Sequence, residues 1–227
     1  MKRAHILTIA CLSALTITQA SASITLSASD DNYVYSSSSS TNYQFDAPAI
    51  TVKTANSSSR IGFMKFDLSS VIGSLDTSQD ATLNVTFRGV TNASGGDNAT
   101  FTFEALSNDS PIRADWSETT VTYSSRPAGT FTDLGTDYNW SYNASDVPHS
   151  ITFSNIANYI QADNTITFRL SGPKLDNTNN NPSFHSSEAT TESFRPTLVL
   201  ATVPEPAAAS ILLGLSTLAF VGLRRRR

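Results

Sequence analysis

Thr82-Leu83-Asn84-Val85-Thr86-Phe87 and Phe101-Thr102-Phe103-Glu104-Ala105 decide the fold class. In both, apolar side chains alternate with polar ones at period two. That pattern sets one apolar face on a core and leaves one polar face in water. β-Branched and aromatic residues fill the alternating positions, as a half-buried pleated strand requires. Between the two, Asn92 to Asn98 carries Gly95-Gly96 and predicts a hairpin loop.

The same signal extends in both directions. Arg60 to Asp67 predicts a strand covered on both faces, with Ile61 and Phe63 on one side and Met64 and Phe66 on the other. Shorter strands are expected at Tyr33–Tyr35, Ile50–Lys53, Thr120–Tyr123, Asn139–Tyr142, Ser150–Phe153, Thr165–Leu170, Pro182–His185 and Thr197–Ala201. One short helix is expected where Ser154-Asn155 can cap a turn or two through Ile156, Ala157, Tyr159 and Ile160. Ser36 to Ser40 and Asn177 to Asn181 are low-complexity loops, and no internal repeat is present. Many short strands joined by Ser, Asn and Gly turns predict an all-β protein, an antiparallel, jelly-roll-like β-sandwich with one short helix.

The ends carry a different message. Residues 1–22 have the three parts of a secretory signal peptide: Lys2 and Arg3, the apolar stretch Ile6 to Ile17, and the small-x-small site Ala20-Ser21-Ala22. Residues 204–227 hold Pro204-Glu205-Pro206, the mostly apolar stretch 207–223 and the cluster Arg224 to Arg227. As a helix, 207–223 covers ~25 Å, the short limit for a transmembrane helix in a core of ~30 Å. The arginines would stay on the cytoplasmic side and leave the body across the membrane. This tail resembles the PEP-CTERM sorting signal of Gram-negative bacteria. The resemblance implies a membrane-anchored precursor, cutting by an exosortase, and delivery to the outer surface or extracellular matrix.

The body, 23–203, has its own composition. Of 15 Lys and Arg, six lie in the ends, and of 19 Asp and Glu only Glu205 does; nine basic residues remain against eighteen acidic, a formal charge of −9. Such a body is a poor nucleic-acid binder, because that affinity rests on Lys and Arg neutralising phosphates. The one cysteine, Cys11, sits in the signal peptide. The body therefore has no disulfide framework, Cys-ligated metal or cysteine nucleophile.

Catalytic motifs are missing from the sequence. There is no G-x-S-x-G, H-E-x-x-H, G-x-x-x-x-G-K or G-x-G-x-x-G. His149 and His185 have no recognisable catalytic setting, and the acidic pair Asp115 and Glu118 reads better as turn support. Ser29-Asp30-Asp31-Asn32 clusters oxygen ligands of the kind calcium prefers, so Asp30 and Asp31 are candidate metal ligands; a solvated acidic turn gives the same pattern. The few basic residues stand out. Arg60 and Lys65 bracket one strand, and Arg126 and Arg195 each precede a proline. A guanidinium can take a carboxylate in bidentate fashion, either an acidic sugar or an internal partner. Tyr138, Trp140 and Tyr142 alternate among polar neighbours, which predicts an exposed aromatic platform for sugar C–H faces.

Several motifs together resemble one family. They are Asp31-Asn32-Tyr33-Val34-Tyr35, Thr41-Asn42-Tyr43, Met64-Lys65-Phe66-Asp67-Leu68-Ser69, Trp116-Ser117-Glu118-Thr119-Thr120-Val121-Thr122-Tyr123-Ser124-Ser125-Arg126-Pro127, Ser187-Glu188 and Arg195-Pro196-Thr197-Leu198. In this order they resemble the DNRLRE domain, also described as the family 96 carbohydrate-binding module and related to disaggregatase repeats. Tyr123 replaces its usual Trp, and Ser187 stands where many members have Arg. The resemblance implies a β-sandwich of the kind found on secreted polysaccharide-active proteins, in some members binding alginate-like acidic glycans, with Arg60, Lys65, Arg126 and Arg195 at its basic positions; the reading is a non-catalytic binding module for acidic exopolysaccharide. Two alternatives are a structural or adhesive matrix protein, whose arginines only form internal pairs, and a polysaccharide lyase or hydrolase.

Overall fold

A computed structural model describes residues 22–44, 48–54, 58–91, 98–109, 111–141, 145–172 and 181–203, the side chains of 91, 98–99 and 136–141 excepted. Residues 1–21, Pro204, Glu205 and Pro206, and the apolar stretch 207–223 lie outside these residues. Among the described residues no helix is long and apolar enough to cross a membrane.

Among the described residues eleven strands form two antiparallel sheets: β1 Ala22–Ser27, β2 Asp30–Tyr35, β3 Ala49–Thr51, β4 Arg60–Asp67, β5 Ala81–Thr91, β6 Asn98–Leu106, β7 Phe131–Ser141, β8 Val147–Phe153, β9 Thr165–Ser171, β10 Asn181–His185 and β11 Thr197–Thr202. In the first sheet, β5 is the spine. One edge of it pairs with β8, and the other pairs with β11 at Thr82–Asn84 and with β10 at Phe87–Thr91. β1 lies beyond β11, and β3 beyond β10. The second sheet runs β2-β4-β9-β6-β7.

The sheets close on each other through phenyl rings. Phe87 and Phe184 of the first sheet meet Phe101 of the second at 5.4 and 5.1 Å between centroids, and Phe184 meets Phe103 at 5.6 Å. Phe153 and Phe168 make a further cross-sheet pair at 5.6 Å. Tilted and edge-on rings at such spacing add to the gain from area burial alone.

This packing corrects the hairpin expected at Asn92 to Asn98. The two alternating runs that flank it do not pair; β5 and β6 belong to opposite sheets. Their apolar faces meet across the interior, which satisfies the same period-two pattern as lying side by side. β4 is covered on both faces as expected. Met64 and Phe66 join the main core, and Ile61 and Phe63 join a second cluster outside the sheet.

Other expectations shift too. Thr120–Tyr123 is a turn rather than a strand. The short helix is a single 3-10 turn, Ile156–Asn158, entered through Asn155 in the left-handed region at φ 58° with no side-chain cap. The bulge opposite Ser183 and Phe184 turns Arg88 outward, and Gly89 there takes φ 118°, open mainly to glycine.

Phe184 is fully buried among Phe87, Phe101 and Phe103. Phe184→Ala should cost about 3–5 kcal/mol in urea unfolding. A loss below about 1 kcal/mol would show that these rings do not hold the sheets together.

A covered sheet face and its candidate binding edge

The outer face of the second sheet is apolar where Val34, Ile61 and Phe63 project, so it needs a cover. The segment 111–130, ahead of β7, lies over it as a strap. Trp116 and Val121 are buried on the face, with Tyr123 and Phe131 packed beside them. The Trp116 ring meets Phe63 at 6.0 Å, and its Nε1–H donates to Thr167 Oγ1 at 3.0 Å.

Polar contacts fix the strap along its length. The Lys65 ammonium donates to the Trp116 carbonyl, pairs with Asp30 at 2.9 Å and sits 5.3 Å from the Trp116 ring centre. Asn32 and Asn42 Nδ2–H groups donate to the Glu118 carbonyl at 2.9 and 2.7 Å, and Asn42 also reaches the Val121 carbonyl at 2.8 Å. Glu118 turns its carboxylate inward, accepting from Gln44 Nε2 at 2.9 Å and from the Asp31 N–H at 3.4 Å. Much of the twelve-residue motif therefore serves packing. Arg169 does the same nearby: it grips Glu104 in bidentate fashion and lies 4.0 Å over the Phe131 ring.

The edge strand β2 and the loop after it carry a different cluster. Tyr33 stacks on Tyr43 at 4.9 Å, and Tyr35 meets Tyr43 edge-on at 6.1 Å. The Arg60 guanidinium lies 4.9 Å over Tyr35 and 5.9 Å from Tyr33, and its Nη1–H donates to Asn181 Oδ1. Arg60, Tyr35 and Tyr43 are half-buried. Buried Lys53 bridges backbone to backbone with Arg60; burial and then the Arg60 charge lower its pKa. Lys53 and Arg60 thus set two basic residues side by side at this edge.

A second Arg–Tyr pair lies across the loop. Arg126 sits 4.0 Å over the Tyr123 ring and donates to the Tyr123 carbonyl. The Ser124 N–H donates to the Ser39 carbonyl at 3.0 Å, so the turn 36–42 runs between the two pairs. Arg113, which the sequence did not single out, donates to the Ser124 carbonyl at 2.9 Å and is exposed. Tyr35 and Tyr43 are legible in the sequence as aromatic candidates for a sugar platform, but spacing does not show the loop closure that stacks Tyr43 on Tyr33 and lays Arg60 over Tyr35.

The remaining expected residues fall elsewhere. Arg195 precedes β11, with its Nε–H donating to the Ala189 carbonyl at 2.8 Å. Tyr138 and Trp140 belong to β7, opposite Phe101 and Ala99; their side chains and the whole of Tyr142 lie outside the described residues. His185 pairs with Asp146 at 2.8 Å and packs on Phe194. Asp80 and Asp133 share one open groove, but both are exposed, a poor setting for a perturbed acid–base pair.

Asp30 and Asp31 have protein partners. Asp30 holds Lys65, and Asp31 accepts the Ser187 N–H at 2.6 Å. Among the described residues no group of three or more His, Cys, Asp and Glu is placed to hold a metal. Burial, then the nearby Glu188 charge and more weakly Glu118, push the Asp31 carboxyl up from 3.8 to about 7.

An all-β body of two facing antiparallel sheets, with aromatic and basic side chains at one edge, defines the class of sheet-built ligand-binding modules. The description "Carbohydrate-binding module family 96" matches residues 22–202, and the chain belongs to that family. No curated protein matches it. Among solved structures it is similar at 11% identity and TM-score 0.29 to the CBM22-1–GH10 modules of Clostridium thermocellum xylanase 10B complexed with xylohexaose, over 78% of this chain and 29% of that one. A capsid structure of infectious bursal disease virus, Gt strain, matches at 11% identity and TM-score 0.27, over 81% of this chain and 38% of that one. The chain thus spans well under half of either structure.

The raised Asp31 pKa makes a stability prediction with a definite sign. The folded state holds this proton more tightly than the unfolded chain does. Its contribution is full below pH 3.8 and is lost as pH rises toward 7. Asp31→Asn keeps an acceptor for Ser187 and removes the buried charge. Its unfolding free energy relative to the parent, measured by urea titration in chelator, should climb between pH 4 and 7 and then level off, by an amount on the order of 2–4 kcal/mol. A difference that stays flat with pH would mean Asp31 titrates normally.

Proposed function

We propose that this protein is an exported, non-catalytic module that holds acidic polysaccharide at the Arg60–Tyr35–Tyr43 edge, with Arg126 and Tyr123 extending the surface across the 36–42 turn. The observation that carries the reading is the state of Arg60: half-exposed, laid on Tyr35, and in no ion pair with a carboxylate among the described residues. Arg126, laid on Tyr123, shares that state, and Arg195 is likewise half-buried and bonds a carbonyl rather than a carboxylate. Had all three been buried against carboxylates, a purely structural spacer would be the better reading. Membership of family 96 supports carbohydrate as the ligand class, and the arginines argue for sugar carboxylates.

A tyrosine beneath a guanidinium suits this task. The ring holds the planar cation in place and presents an apolar surface for a sugar's C–H face. Lys65 takes no part in the proposed surface; it is held inside the strap. The tail 204–227 supports sorting by an exosortase from an inner-membrane precursor to the outer surface of a Gram-negative cell, and 1–22 supports export. Asp30 and Asp31 remain candidate calcium ligands, so binding is best measured with and without that ion.

Affinity electrophoresis tests the proposal. Uronic-acid polymers should retard the protein and neutral polymers should not. Arg60→Ala combined with Tyr35→Ala should weaken retardation about tenfold, consistent with about 1.4 kcal/mol. Lys65→Met should leave retardation intact while lowering stability by about 2–4 kcal/mol, because Asp30 and the Trp116 carbonyl lose their partner. Passage of the parent through every acidic polymer without delay would sink the reading.

A further inference from the structure

A second polar groove lies on the outer face of the first sheet, away from the Arg60 edge. It encloses about 330 Å³ and is lined by Asn84, His149, Ser150, Glu192, Arg195 and Thr197 among others. Three neighbouring strands contribute a connected row: Ser150 Oγ–H donates to Asn84 Oδ1 at 2.6 Å, and Asn84 Nδ2–H donates to Thr197 Oγ1 at 3.2 Å. The row leaves the Thr197 hydroxyl proton and the Ser150 lone pairs for a ligand. Strands stand about 4.8 Å apart, comparable with the length of one sugar residue.

Arg195 closes one side of the groove. Its Nε–H is fixed by the Ala189 carbonyl, and among the described residues neither Nη meets an acceptor and no carboxylate pairs with it. That leaves both Nη groups of a held guanidinium unbonded on a residue that lines the groove, and such a guanidinium is a fork that can take a carboxylate with two parallel hydrogen bonds. Glu192, exposed on the same groove, is an acceptor for sugar hydroxyls.

This groove and the Arg60 edge are far apart. Thr197 pairs with Asn84 on β5, while Asn181, the Arg60 partner, pairs with Thr91. Seven residues of strand separate Asn84 from Thr91, about 20 Å. One short glycan segment cannot fill both.

We propose that the Arg195 groove is a second site for a uronic-acid residue, so that one molecule joins two acidic polysaccharide chains or two stretches of one chain. The inference rests on the acidic-polysaccharide reading above and adds valency to it. Two weak sites on one rigid body give avidity that neither has alone.

Calorimetric titration of the full chain in detergent with a short oligouronate tests it, paired with light scattering on the intact polymer. The parent should take two equivalents and bring the polymer into large assemblies. Arg195→Lys keeps the charge and loses the fork. It should weaken one site about tenfold, leave the other and abolish assembly. Thr197→Val should weaken the same site about threefold, and thermal melts check that both variants fold. Arg60→Ala should remove the other equivalent only. A single equivalent that Arg60→Ala removes and Arg195→Lys leaves untouched overturns the second site and spares the first. A single equivalent that responds only to Arg195→Lys overturns the two-site claim and relocates the first. No binding at all overturns both.

Discussion

The insertion of Trp116 into the outer face of the second sheet is the constraint on which the exposed chemistry depends. β2 and β4 present Val34, Ile61 and Phe63 away from the main core, and water would meet these side chains without a cover. The strap supplies it, with Trp116 anchored at both ends: indole to Thr167, carbonyl to Lys65. The turn carrying Tyr43 is held in turn by Asn42 on the strap's carbonyls. The Arg60 edge is therefore set by a segment that touches Arg60 nowhere in the contacts described.

This arrangement gives much of the long motif a packing role. Trp116 and Val121 are buried on the sheet face and Glu118 turns its carboxylate inward, whereas Thr119, Thr120 and Ser124 are exposed and Tyr123 and Arg126 are half-buried. Basic residues divide the same way. Lys65 and Arg169 face carboxylates of their own sheet, whereas Arg60, Arg126 and Arg195 bond only neutral groups among the described residues. A guanidinium whose charge is not neutralised keeps its attraction for an incoming anion; a paired one has lost most of it.

The period-two pattern was enough to place most strands, because half-buried strands write their burial directly into alternation. It misread Thr120–Tyr123 for a related reason: Val121 is buried against a sheet face, not within a ladder, and periodicity cannot tell the two apart. It also put Phe87 and Phe101 in neighbouring strands, since a face that meets another sheet looks the same as one beside it. β1 escaped notice because Ala22–Ser27 adjoins the expected end of the signal peptide, although Ile24 and Leu26 alternate and pack on the core. In the candidate site, Arg60, Arg126 and Arg195 were legible from their scarcity in an acidic body. Tyr35 and Tyr43 were legible as aromatic candidates, but their meeting was not, because it needs the 36–42 turn to fold back toward β2.

Scarcity also governs how such a body can hold a polyanion. At a formal −9, the long-range field of residues 23–203 repels an acidic chain, so encounter gains nothing from steering. Attraction must come from guanidinium groups within a few ångströms of a carboxylate, where local geometry outweighs distant charge. Each such contact is weak in water, on the order of 1 kcal/mol. The tyrosine beneath Arg60 and the carbonyl behind Arg195 reduce the ordering entropy each contact demands. In the proposed reading, weak, preorganised and separated contacts would let a polysaccharide chain exchange at each point while the module as a whole stays bound.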